Sequence, residues 1–97
     1  MVKHIVCFKL IDRADAEEAK RVLLSMQGKV PMIKAIEVGV DRLGTARSYD
    51  VFLSVLLDGF EALEAYQKDE YHCGVVKKYM HAHVQNSVAL DFETENP

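Results

Sequence analysis

Lys3-His4-Ile5-Val6-Cys7-Phe8-Lys9-Leu10 is short, rich in β-branched and aromatic residues, and apolar on both parities. Val6, Phe8 and Leu10 share one parity, Ile5 and Cys7 the other. This predicts a strand buried on both faces rather than one with a wet side. A second segment, residues 49–57, reads the same way. Tyr49, Val51, Leu53, Val55 and Leu57 fall on one face, Phe52 and Leu56 on the other.

The chain between and beyond these strands supplies the partners. Asp15-Ala16-Glu17-Glu18 has the form of a capping box, and Ala16, Ala19, Val22, Leu23 and Met26 recur at helical spacing. A helix is expected over residues 15–27, stopped by a left-handed Gly28 with Pro31 beyond it. Residues 33–40 alternate as a second strand through Ile36, Val38 and Val40, with Gly39 marking a bulge or a close approach. Residues 41–47 read as a polar hairpin loop. Asp58-Gly59-Phe60-Glu61 is a second capping-box pattern, opening a helix that carries Phe60, Ala62, Leu63 and Tyr66. A short helix is expected over residues 71–80. Residues 87–93 form a fourth strand, with Val88, Leu90 and Phe92 opposite Ser87, Ala89, Asp91 and Glu93. Thr94-Glu95-Asn96-Pro97 is a polar tail.

The order β-α-β-β-α-(α)-β is α+β and ferredoxin-like, with a four-stranded antiparallel sheet carrying its helices on one face. Strands apolar on both faces then leave one apolar face in water, a larger patch than a soluble monomer usually exposes. A second copy stacking its own sheet there resolves the conflict, so a homodimer through the sheet face is expected: a dimeric α/β barrel.

Composition bounds the remaining options. Residues 1–97 are expected to form a single domain, and a chain this short gains much from a partner. The net charge of −3 argues against nucleic acid and against an anionic membrane surface as partners. No apolar run is long enough for a membrane span, and the N-terminus reads as a strand rather than a signal peptide. Cys7 and Cys73 lie far apart, outside any C-x-x-C pattern, so neither a disulfide framework nor a thiolate metal site is expected. Free thiols fit a reducing compartment, and a cytoplasmic protein is expected.

Several segments resemble the stress-responsive A/B barrel (Dabb) family. Val2-Lys3-His4-Ile5-Val6-Cys7-Phe8 is similar to its first strand, and Val30-Pro31-Met32-Ile33-Lys34-Ala35-Ile36-Glu37-Val38-Gly39 to its proline-led second strand. Ser48-Tyr49-Asp50-Val51-Phe52-Leu53 resembles the third strand, and Leu63-Glu64-Ala65-Tyr66-Gln67 with His72 the helix-plus-histidine segment. Ala89-Leu90-Asp91-Phe92-Glu93 resembles the last strand. The resemblance covers about residues 2–93 and implies a ferredoxin-like protomer and a homodimer.

One plant branch of the family, polyketide cyclases resembling olivetolic acid cyclase, does acid–base chemistry in a pocket of this fold. The resemblance places its general-base histidine on His72, its assisting tyrosine on Tyr66 and its strand-1 histidine on His4. The departures are specific. Asp69-Glu70-Tyr71-His72 stands where the family often has H-P-x-H, and Leu23 occupies the place of a second pocket tyrosine.

The residue types suit that chemistry. A neutral imidazole accepts protons near physiological pH, and Tyr66 could hydrogen-bond an enolate or hold the histidine's tautomer. Tyr66 and His72 would diverge by about 240° on an unbroken helix, so their convergence requires a break around residues 68–71. The alternative is that His4 faces the core on a backbone hydrogen bond and Tyr66 is helix packing with its hydroxyl at the surface. Leu23, Phe60, Val76 and Tyr79 are expected to line an apolar pocket. His81-Ala82-His83 would present two rings to one side if extended, yet no third ligand is evident, and neither a metal nor a cofactor is expected. Cys73 reads either as a reactive thiol or as an inert small hydrophobe.

Three functions fit: a dimeric barrel that binds a small apolar molecule, a proton-transfer enzyme using His72 with Tyr66 and His4, and a stress-protective oligomer. Fold alone does not choose between them.

Overall fold

The computed structural model describes residues 1–95. Of the expected polar tail, Asn96 and Pro97 lie outside the described residues. The elements are β1 (Val2–Leu10), a 3₁₀ turn (Arg13–Asp15), α1 (Ala16–Leu24), β2 (Ala35–Val40), β3 (Val51–Leu57), α2 (Phe60–Lys68), a π-helical turn (His72–Lys77), α3 (Lys78–His83) and β4 (Val84–Glu93). The strands form one antiparallel sheet in the order β2-β3-β1-β4. No helix among the described residues is long and apolar enough to cross a membrane.

Alternation along each strand divides the sheet into two unlike faces. Val2, Val6 and Leu10 of β1, Val51, Val55 and Leu57 of β3 and Val38 of β2 are buried in one core. That core also takes Ala19, Leu23 and Met26 from the first helical segment, Leu63 and Tyr66 from α2, and Val76 and Met80 from the last. The opposite face is also apolar. Its rows are set by register: Phe52, Cys7 and Val88; Ser54, Ile5 and Leu90; Leu56, Lys3 and Phe92. No helix among the described residues covers it, and Val88 (51%), Leu90 (61%) and Phe92 (38%) remain exposed. The helices pack over β1, β2 and β3, so β4 stands largely clear of them.

The helix starts differ from the capping boxes expected. Neither Asp15 nor Gly59, the residues that precede α1 and α2, makes a side-chain cap. Asp12 instead accepts the Ala14 N–H (2.9 Å) and caps a 3₁₀ turn that leads into α1. Asp58 lies outside the helix and pairs with Lys34 at 3.6 Å. α1 ends at Leu24 with Ser25 as its C-cap, short of the expected residue 27, and Gly28 adopts its left-handed φ of 83° in the turns that follow instead of stopping the helix. Gly39 carries no bulge, since β2 pairs with β3 in continuous register. The irregularity falls between β1 and β4, where Lys9 pairs with Asn86 and Leu10 with Val84, leaving Gln85 of β4 as the extra residue. The C-terminal helix runs through His83, and β4 begins at Val84 instead of residue 87.

The end of β1 is held from its β3 side by one buried carboxylate. Asp50 is 2% exposed, and its carboxylate accepts the Leu10 N–H at 2.8 Å and the Arg13 guanidinium at 2.8 Å. Arg13 also reaches Asp41 at 3.0 Å. The Gly44 amide and then Arg13 hold the Asp41 carboxyl below the usual carboxylate range. Removing the Asp50 carboxylate leaves a buried amide without its acceptor and Arg13 without its inner partner. Asp50→Ala is expected to lower the unfolding free energy by about 2 kcal/mol in urea titration, with Asp50→Asn losing less. An unchanged midpoint would show that this end of the sheet does not depend on the carboxylate.

Candidate functional site

Helix α2 ends at Lys68 because Asp69 leaves the helical region (φ −59°, ψ 137°). The Asp69 carboxylate then accepts the His72 N–H at 3.0 Å, and the Asp69 carbonyl accepts the Cys73 N–H at 2.9 Å. The chain thus restarts as a helix after a single extended residue. The break that convergence of Tyr66 and His72 requires is therefore present, although the proline is absent. Helix termination also leaves the last carbonyls of α2 without helical partners. The Tyr66 carbonyl takes the Asp69 N–H (3.2 Å) and the Nδ1–H of His72 (3.0 Å). The His72 ring lies stacked on the Tyr66 ring, centroids 4.3 Å apart and 24° from parallel.

This geometry fixes the chemistry of His72. With Nδ1 donating to a carbonyl, the neutral ring carries its lone pair on Nε2. Partial burial lowers the pKa of His72 below its ordinary value, the Tyr66 carbonyl opposes this, and the charge of Lys77 adds to the lowering. At neutral pH the side chain is an uncharged base held by stacking, by Tyr66 and by the Asp69 turn.

His4 is buried on the helix side of β1. The β1–β4 register sets it opposite Asp91, and Nδ1 of His4 lies 2.5 Å from Oδ1 of Asp91. Its partner is thus a side chain, not the backbone group expected. The His4 ring meets Tyr66 edge-on at a centroid distance of 5.5 Å. Tyr66 therefore sits between the two histidines and is fully buried. Its hydroxyl does not point to the surface, as the packing alternative expected, nor is it free for a ligand. It donates to the Met26 thioether at 3.8 Å, and burial raises its pKa so that the phenol stays neutral. Tyr66 contributes its ring and its carbonyl to the site, and it is the carbonyl that holds the tautomer of His72.

All three residues line a cavity of about 240 Å³ between the sheet and the π-helical turn. Its remaining walls are Val6, Phe8 and Leu53 from the sheet, Leu23 from α1, Gln67 from α2, Val76 and Lys77 from the turn, Met80 and His81 from α3, and Val84 and Ser87 from β4. It exists because no helix closes over β4. Of the four expected lining residues, Leu23 and Val76 are present. Phe60 and Tyr79 are outside. Phe60 begins α2, about 9 Å along the axis from Tyr66, and is half-exposed. Tyr79 stacks on His83 at 4.0 Å, on a different side of α3 from Met80.

His81 and His83 lie on a helix, where residues two apart point about 200° away from each other, so the extended pair does not form. His83 bonds the Tyr79 carbonyl at 2.8 Å, while His81 reaches the cavity. Cys73 is exposed and directs its thiol to the Gln67 carbonyl at 3.2 Å, so it is not packed as a small hydrophobe. Asp91, Lys77, Gln67 and Ser87 are polar groups at the site that the sequence reading missed, and His81 was weighed there only as a metal ligand. The signal for Asp91 was present in β4, on the parity opposite Val88, Leu90 and Phe92, but only strand register shows which residue it meets.

The lowered pKa of His72 has a sign for stability. The unfolded chain binds the proton more readily, so stability is full above the ordinary value of 6.5 and is lost as the pH falls below it. Urea midpoints measured between about pH 7.5 and 5 are expected to fall with pH, and less steeply in His72→Gln. Equal slopes in the two proteins would assign the loss to other groups.

A family model described as the stress responsive A/B barrel domain matches residues 2–94. No curated protein matches the chain. Among solved structures, a dimeric protein of unknown function and ferredoxin-like fold from Bacteroides fragilis is 23% identical, with TM-score 0.82 over 96% of this chain and 95% of that one. A dimeric ferredoxin-like protein of unknown function from Thermobifida fusca is also 23% identical, with TM-score 0.81 over 96% and 90%. A Dabb family protein with a ferredoxin-like fold from Mesorhizobium loti is 18% identical, with TM-score 0.73 over 96% and 95%. These likenesses agree with the fold derived above, and the family match spans nearly the whole sequence: the chain belongs to the stress-responsive A/B barrel domain family.

Proposed function

We propose that two copies of this chain pack open sheet face to open sheet face, and that the cavity of each protomer takes a small, mainly apolar carbonyl compound from which His72 removes a proton. The observation that carries the reading is the His72 ring itself. Its Nδ1 is tied to the Tyr66 carbonyl, its face is stacked on Tyr66, and it lines the cavity as a neutral base. A base held in one tautomer and kept uncharged by its surroundings suits general-base catalysis. The proton leaves a carbon next to the carbonyl, His72 becomes the imidazolium, and the substrate becomes an enolate. Return of the proton to another atom of the substrate completes an isomerisation, or follows a ring closure. His4, bonded to Asp91, also lines the cavity and in this reading serves that later transfer.

The dimer is supported by the exposed apolar row of Val88, Leu90 and Phe92 and by the dimeric state given for the Bacteroides fragilis and Thermobifida fusca proteins. The unpaired thiols of Cys7 and Cys73 support a cytoplasmic setting. A second reading, binding without turnover, is favoured by one observation: the Tyr66 hydroxyl is directed at Met26, so it offers no hydrogen bond to an enolate.

Sedimentation at low micromolar concentration is expected to give twice the 11.0 kDa of one chain. Leu90→Asp is expected to give a folded monomer, since Leu90 lies on an edge strand outside the core. A wild-type monomer would remove the paired sheets. For the chemistry, acyclic ketones and β-diketones that bind are to be followed by NMR for deuterium exchange at carbon in D₂O. His72→Gln is expected to slow exchange by at least about 100-fold while binding persists. Binding without exchange in the wild type would leave the binder reading in place of the enzyme.

A further inference from the structure

The cavity changes character with depth. Leu23, Leu53 and Met80 form an apolar floor and are buried, while Lys77 and His81 line the mouth and are exposed. These two basic residues are four apart on one continuous helical segment, which puts them on the same face. Lys77 supplies a cation there, and the His81 imidazole an N–H donor beside it. Among the described residues, neither has a carboxylate within ion-pair distance. The two acids beside the cavity are already engaged, Asp69 with the His72 amide and Asp91 with His4. Lys77 ends the π-helical turn, more than a turn before the segment's C-terminus at His83, so dipole compensation does not account for its position, whereas His81 sits in that last turn.

We infer that the molecule held by the cavity is a carboxylate with an apolar body, its tail on the Leu23–Leu53–Met80 floor and its carboxylate at the mouth between Lys77 and His81. This deepens the ligand reading above and rests on the cavity being the binding site. A volume of about 240 Å³ is small for a ligand pocket and suits a chain of about ten non-hydrogen atoms. The carboxylate would gain charge-assisted hydrogen bonds at the mouth, while the tail displaces water from the floor.

Octanoate and 1-octanol separate the two parts of the claim, because they share a tail and differ in the head. Both are to be titrated into the full chain at pH 7, following backbone amide shifts of Val76, Lys77 and Met80. Octanoate is expected to bind about tenfold more tightly than octanol, the scale of one charge-assisted hydrogen bond at a partly wet site. Lys77→Gln combined with His81→Gln is expected to remove that difference and leave octanol binding unchanged. Octanol binding as tightly as octanoate, or a difference that survives the double substitution, overturns the carboxylate and leaves the cavity as a site for neutral molecules. If neither compound moves these amides, the cavity itself is refuted as a ligand site.

Discussion

A four-stranded sheet has two faces, and this chain supplies helices for one. Most of the structure follows from how that shortage is met. The helices gather over β1, β2 and β3, where Val6, Val55 and Leu57 join their core. Among the described residues, the edge strand β4 is largely uncovered beyond Val84, which packs against the core. On one side it presents Val88, Leu90 and Phe92 in line with Ile5 and Cys7, an exposed apolar surface of the kind that a like surface covers. On the other side, the uncovered strip along β4 opens a gap between sheet and helices, and that gap is the cavity. The proposed contact with a second copy and the proposed ligand site are thus two results of one shortfall in helix.

Within the cavity, a single residue conformation organises the chemistry. Asp69 in an extended conformation ends one helix, and its carboxylate starts the next. The orphaned carbonyl of Tyr66 finds a donor in a ring that the break has swung over it. A wide π-helical turn follows at once, the kind of irregularity that helices tolerate where a side chain must be aimed. Backbone and ring hold His72 from two directions, and neither contact uses Nε2. The histidine pair is asymmetric: His72 is supported by a neutral carbonyl, His4 by a carboxylate.

The strand faces were legible because parity is a property of each strand alone. Val51, Leu53 and Val55 against Phe52 and Leu56 need no knowledge of neighbours. The need for a break between Tyr66 and His72 was legible from helix geometry, though Asp69 as its agent was not. The capping boxes at Asp15 and Asp58 failed because capping depends on the path of the chain entering the helix. Here a 3₁₀ turn held by Asp12 takes that path. Phe60 and Tyr79 were misplaced for a related reason: an apolar residue on a helix reports that something covers it, not what.

By itself the sequence determined the order of elements and the two-sided apolar sheet, since periodicity acts over a few residues, while His4, Tyr66 and His72 became candidates through the resemblance to the family. Only the tertiary structure decided that His4 meets Asp91, that the Tyr66 hydroxyl turns to Met26, that Asp50 anchors Leu10 and Arg13, and that Lys77 and His81 stand at a common mouth. The side-chain contacts among these join residues from separate elements, up to 87 positions apart in the chain. They depend on register and on which helix lies over which strand, and no local pattern carries that information.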